Sequence, residues 1–419
     1  MKLKIIVFSL SLFTAACTHK IQMKEPYLSQ NKKILLEKCQ KTEPLKNGLD
    51  KQIVNAALEK IVSYVPQKYG EKKWTLFLEQ LRDDKLSFAQ AFFKVYKKTP
   101  KEIFERIRDK ESDPLFSKKN SKLVSKDIGK FRLYYFSPST AENEIELIEY
   151  VINSSFKNAS DFLISAEFTD RLNKHLTNLK DEKLNIYLLP GKKIFSKYSE
   201  EKIFSDYSYV FDYKNTGTEN ALQFDLFINY TGIFSFSESI TRCLSEILML
   251  SRQVDPSLTR RYRLDEQIQS DFNLIEWGWK NWLFVGLEAW LDEKTNVLYK
   301  QGVYNSCDQD IRSYWGRYGI AKYKDIAFSL EHITSVKYNL LGGWKKIYYV
   351  ELSQSLSGYL ISTHNKDVFL KLICAKDWYK NFQENLKESR EKVSQDWKET
   401  IFGIEDHLKN DPFKKSGGN

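Results

Sequence analysis

Two carboxylates stand out for their setting. Glu238 lies in FSFSESITRCLSEILML and Glu288 in WLFVGLEAWL, each inside an apolar pattern of helical period. Carboxylates that face each other across a cleft can act as acid and base. Glu238 and Glu288 are therefore the candidate catalytic pair, provided that their carboxyl groups lie within about 5 to 10 Å of each other. The five histidines (His19, His175, His332, His364 and His407) all fall outside these two helices, and none has a second His within four residues. A two-imidazole helical metal site is thereby excluded. Glu331-His332 comes nearest to a metal site and reads as a surface pair. Nucleophile elbows, phosphate loops and dinucleotide-binding glycines are absent. No metal and no cofactor is implied.

An aromatic-rich stretch from Trp277 to Trp290 reads mainly as core, with Trp277 and Trp279 the candidates for exposed binding positions. Besides Cys17 the chain holds Cys39, Cys243, Cys307 and Cys374. Their even number allows up to two disulfides, with three possible connectivities. Cys243 sits in an apolar helical pattern and reads as a buried thiol. No CxxC or Cys/His cluster is present, which leaves thiol-redox chemistry and structural zinc without support.

The first residues predict export. Lys2 and Lys4 precede an apolar run, Ile5 to Phe13, and Thr14-Ala15-Ala16 lead into Cys17. A run of about nine residues suits a signal peptide, whereas a spanning helix takes roughly 20. Small residues before a Cys resemble the lipobox of bacterial lipoproteins, with Thr14 where that box usually has Leu. The expectation is a signal over 1–16, a lipid on Cys17 and a polar tether over 17–30. Thr18 follows the Cys where inner-membrane retention would require Asp, so the expected place is the cell envelope, at the outer membrane. The formal charge of +10 is dispersed along the chain and suits proximity to anionic lipid. Export excludes a nucleic-acid partner.

The 419 residues, with 42% hydrophobic content, predict a folded chain of two or three domains. An N-terminal helical module is expected over 31–110, a basic linker over 111–130, a central α+β domain over 131–345, a C-terminal helical module over 346–405 and a polar tail over 406–419. Strands are predicted at 131–136, 184–189, 207–213 and 222–230, with helices opening at Ser139-x-x-Glu142 and covering 160–179. The fold class is thus α+β: a small mixed sheet followed by a mostly helical half. Tyr64, Gly70, Trp74 and Phe88 share their spacing with Tyr359, Asn365, Phe369 and Phe382. Two readings of that match stay open, a repeated helical module and two unrelated bundles.

From Phe131 onward the chain resembles the catalytic domain of gluzincin zinc metallopeptidases. The likeness is carried by the strand in LNIYLLPGKKIFSKY, by FDLFINY before a long helix, by Trp282-Leu283-Phe284-Val285-Gly286-Leu287-Glu288 and by the tail YYVELSQSLSGYLISTHNKDVFLKLI. Such enzymes need His-Glu-x-x-His and a further carboxylate to hold zinc and activate water. On that register Ser237 and Thr241 stand at the two His positions, Glu238 at the Glu, and Val285 at the third ligand. The resemblance therefore implies a pseudo-peptidase, a non-catalytic envelope lipoprotein that binds a peptide or protein or serves as a structural part. A peptide would add to the strand at 222–230, taken as a sheet edge. The alternatives are a hydrolase built on Glu238 and Glu288, and a purely structural helical lipoprotein.

Overall fold

The computed structural model describes residues 25–40, 48–83, 85–110, 113–163, 184–198, 209–215, 222–253, 275–309, 311, 330, 333, 344–374 and 378–402. Cys17 and most of the helix expected over 160–179 lie outside them.

Five helices open the chain: α1 (Glu25–Gln40), α2 (Gly48–Tyr69), α3 (Glu71–Leu81), α4 (Phe88–Tyr96) and α5 (Pro100–Lys110). The starts of the last two are written locally. Ser87 and Gln90 cap each other's backbone N–H groups at α4, and Thr99 and Glu102 do the same at α5, where Pro100 takes the first helical position. Helix α1 begins at Glu25, inside the segment 17–30 expected as a polar tether.

A five-stranded sheet follows, in the order β1-β2-β3-β5-β4. Its members are β1 (Lys122–Ile128), β2 (Phe131–Ser137), β3 (Leu184–Leu189), β4 (Tyr209–Asn215) and β5 (Leu222–Asn229). β2, β3 and β5 run parallel, and β1 and β4 pair antiparallel at the two ends. Two expectations are corrected here. Residues 122–128, read as linker, form β1, joined to β2 by a two-residue turn in which Gly129 adopts φ 56°. Lys and Ser on this outer strand mask its alternation, because an edge strand keeps much of its surface in water. The strand at 222–229 is not an edge: β4 covers it in continuous register from Tyr209↔Ile228 to Asn215↔Leu222.

The remaining helices are α6 (Thr140–Asn143), α7 (Ile145–Leu163), α8 (Lys192–Tyr198), α9 (Ile233–Gln253), α10 (Ile275–Thr295), α11 (Val297–Lys300), α12 (Trp344–His364), α13 (Lys366–Cys374), α14 (Trp378–Leu386) and α15 (Arg390–Phe402). The fold is mixed α+β. One apolar core is shared by α1 to α5, one face of the sheet, α7, α9 and Val297 to Tyr304. A second is shared by α10 and α12 to α15. The N-terminal helices thus share an apolar core with the sheet, and α12 opens at Trp344, beside the boundary expected near 345. Cys39, Cys243 and Cys307 are buried, and no disulfide joins them.

The internal similarity extends into backbone conformation. Gly70 and Asn365 both take positive φ, 88° and 71°, between a long helix and a short one. Lys97 and Lys387 follow the third helix of each set with φ 54° and 56°. Thr99 and Ser389 then cap the fourth. Trp74 and Phe369 are both fully buried. The α2–α5 and α12–α15 segments thus share one plan.

In the second core α10 and α12 approach closely at small residues. A Cβ on Gly286 would lie 2.3 Å from the Ser353 carbonyl oxygen and 2.2 Å from Ser357 Oγ. Backbone cannot yield as a side-chain tip does, so Gly286→Ala must force the helices apart. A loss of about 1 to 3 kcal/mol or more is expected, read as a fall in the urea midpoint. Gly48→Ala, where nothing lies within 4 Å of the added atom, should stay within about 0.5 kcal/mol.

Candidate functional site

Charged side chains from both cores meet where the cores touch. Lys101, in the first turn of α5, is buried. A cation there opposes the helix dipole, so its partners must hold it in place. Its Nζ donates to Tyr299 Oη at 3.0 Å and lies 3.4 Å from Glu351 Oε1 on α12 and 3.9 Å from Glu238 Oε1 on α9. One turn on from Glu238, Arg242 places Nη2 3.0 Å from the same Glu238 oxygen.

The electrostatics follow from who is paired with whom. Burial alone would raise the Glu238 carboxyl, but Arg242, Lys101 and Arg108 outweigh it and hold that group below the usual carboxylate range. Burial works against the charge on Lys101 too, yet Tyr299, Glu351 and Glu238 keep its ammonium protonated well beyond the ordinary lysine value. Burial dominates at Glu351 and pushes it up despite Lys101 and Arg242. Glu105, on α5, is pushed up to about 7 by burial and by Glu238, against Arg108.

Asp292 on α10 is the fourth carboxyl of the cluster. It is fully buried, and it is pushed up to about 7 by burial and the charge of Glu238. Its Oδ1 accepts from Asn296 Nδ2 at 3.0 Å, while Oδ2 has no hydrogen-bond partner. A lone buried carboxylate oxygen is costly, so the protonated acid is the form this site favours.

Glu238 lies in the cluster. Ser237 and Thr241 are buried beside it on α9, and Thr241 Oγ1 lies 2.8 Å from Ser155 Oγ of α7. Val285 is half-buried on α10, and Glu288 is buried one turn before Asp292. Asp292, also on α10, registers the Glu238 charge. Trp277 and Trp279 belong to α10, but their side chains lie outside the described residues, as do His19, His175, His332 and His407. His364 Nε2, at the last residue of α12, stands 3.7 Å from Glu388. Among the described residues no group of three or more His, Cys, Asp or Glu is placed to hold a metal, and no helix is long and apolar enough to cross a membrane.

Sequence reasoning missed Lys101, Arg242, Asp292 and Glu351. Arg242 and Asp292 had a local signal, each standing four residues after a singled-out glutamate (Glu238 and Glu288). Lys101 and Glu351 had none, since 250 residues separate them. No family model matches the chain, nor does any curated protein or solved structure.

The Asp292 carboxyl sets a pH dependence of definite sign. Its group titrates near 7 in the fold and near 3.8 when exposed. Between those values the folded chain binds a proton that the unfolded chain releases, so stability falls as pH rises from about 4 to about 7. Asp292→Asn removes its share of this slope, leaving the part set by Glu105. It is expected to raise the urea midpoint above pH 7 relative to the unsubstituted chain, with the gain shrinking toward pH 4.

Proposed function

We propose that this chain is a catalytically silent, gluzincin-like lipoprotein of the cell envelope. It would be held by an acylated Cys17 and would act as a peptide- or protein-binding or structural component. The observation that carries the reading is the place of Lys101. In the peptidases that the segment resembles, the motif glutamate works beside a zinc-bound water. Here Glu238 faces two cations of its own chain, Lys101 and Arg242. Ser237, Thr241 and Val285, at the expected ligand positions, supply neither imidazole nor carboxylate. A carboxylate held ionised by an arginine is a weak base. The run of β5 directly into α9 agrees with the order of elements on which the resemblance rests. Strand addition by a peptide would then use β4, the outer strand beside β5.

A second reading, hydrolysis by a carboxylate pair, draws on the split between Glu238, held low, and Asp292, raised to about 7. Environments that push two acids apart are how acid and base roles are assigned. Against it, Asp292 is fully buried.

The purified acylated chain is expected to cleave no peptide in a mixed-sequence library, with or without added zinc. Zinc-dependent cleavage abolished by Glu238→Gln would overturn the silent reading. Metal-independent cleavage abolished by both Glu238→Gln and Asp292→Asn would replace it with the carboxylate pair.

A further inference from the structure

Seven residues, 18–24, separate Cys17 from the first turn of α1, so the tether spans about 25 Å at full stretch. A body held that close to a leaflet must present one face to it. Lys32, in the middle of α1, lines a cavity of about 610 Å³ together with Pro114 and Thr140. The candidate for that face is the segment that follows α5.

That segment makes a tight turn. The Ser121 and Asn120 N–H groups donate to the Ser117 carbonyl at 2.7 and 3.0 Å, and the Ser117 N–H donates to Ser121 Oγ at 3.0 Å. Lys118 and Lys119 stand exposed at its tip, and Lys122 is exposed just after it. Leu115 and Leu123 flank the turn with 45% and 42% exposure, matched among the described large hydrophobic residues only by Leu76 on α3. Leu123 pairs in register with Phe136, whose ring meets that of Phe116 edge-on at 5.1 Å. From Pro114 to Lys126 the chain has no acidic residue.

Lysines on an edge strand also keep it from pairing with other chains. Exposed leucines beside them work against that purpose. Leucines set among lysines do match an anionic bilayer, where apolar side chains enter the acyl boundary and ammonium groups meet headgroup phosphates. We propose that the turn at 117–121, with Leu115 and Leu123 on its flanks, is the surface by which the body rests on an anionic bilayer. This rests on the Cys17 acylation proposed above.

The test uses the acylated full chain on phosphatidylethanolamine vesicles containing phosphatidylglycerol, with an environment-sensitive dye at Leu123→Cys or, separately, at Leu76→Cys. At position 123 the emission is expected to shift to the blue and to be quenched by nitroxide-labelled lipid, while at 76 it stays water-like. Each lysine near an anionic surface is worth roughly a factor of five. Lys118→Glu, Lys119→Glu and Lys122→Glu together are therefore expected to weaken the signal at 123 more than tenfold at low salt. A chain that floats with the vesicles yet gives water-like emission at both positions, or equal shifts at both, overturns the proposal. A chain that carries no lipid overturns the Cys17 reading and this proposal with it.

Discussion

A lysine ammonium cannot be kept out of water without counter-charge, and the arrangement of this protein turns on how Lys101 obtains it. Its partners come from three places far apart in sequence: Tyr299 on α11, Glu351 on α12 and Glu238 on α9. Helices α5, α9 and α11 contribute to the first apolar core, α12 to the second. The cation therefore sits at the seam between the cores and fixes how they meet. Apolar packing is tolerant of small shifts, whereas an ammonium 3.4 Å from one carboxylate and 3.9 Å from another is not. The N-terminal helices are on this account an essential part of the fold.

The same constraint shapes the chemistry. Three cations (Lys101, Arg108 and Arg242) share the cluster with four carboxyls (Glu105, Glu238, Asp292 and Glu351). Full ionisation would leave an excess of negative charge. The environment answers by holding Glu238 ionised and moving Asp292 and Glu105 toward neutrality near pH 7. A buried ionic cluster is a poor source of net stability, since desolvation offsets most of the attraction. Its contribution is specificity of assembly, and it surrounds Glu238 with the chain's own positive charge.

What could be read from the sequence divides along the range of the interactions. The strands at 131–137, 184–189 and 222–229 and the cap at Ser139 depend on neighbours within a few residues, and local pattern finds them. Gly70 and Asn365, which stand at matching places in the spacing, both adopt positive φ, a likeness that spacing alone did not predict. β1 was lost because its outer position permits lysines and serines that hide its period. The edge role assigned to 222–230 failed because which strand lies outermost depends on β4 folding back onto β5. Glu238 was legible as a candidate, but the cluster around it was not, because charge pairing across 250 residues leaves no trace in local pattern.

The most direct test of the central claim is a double-mutant cycle on the full chain, with Lys101→Met, Glu351→Gln and their combination compared by denaturant unfolding at pH 8. If Lys101 locks the two cores together, either single change leaves a buried charge without its partner. The double should then be more stable than the sum of the singles predicts by about 1.5 kcal/mol or more. Additivity within about 0.5 kcal/mol would mean that the pair is not coupled, and that the cores meet for reasons other than this cation.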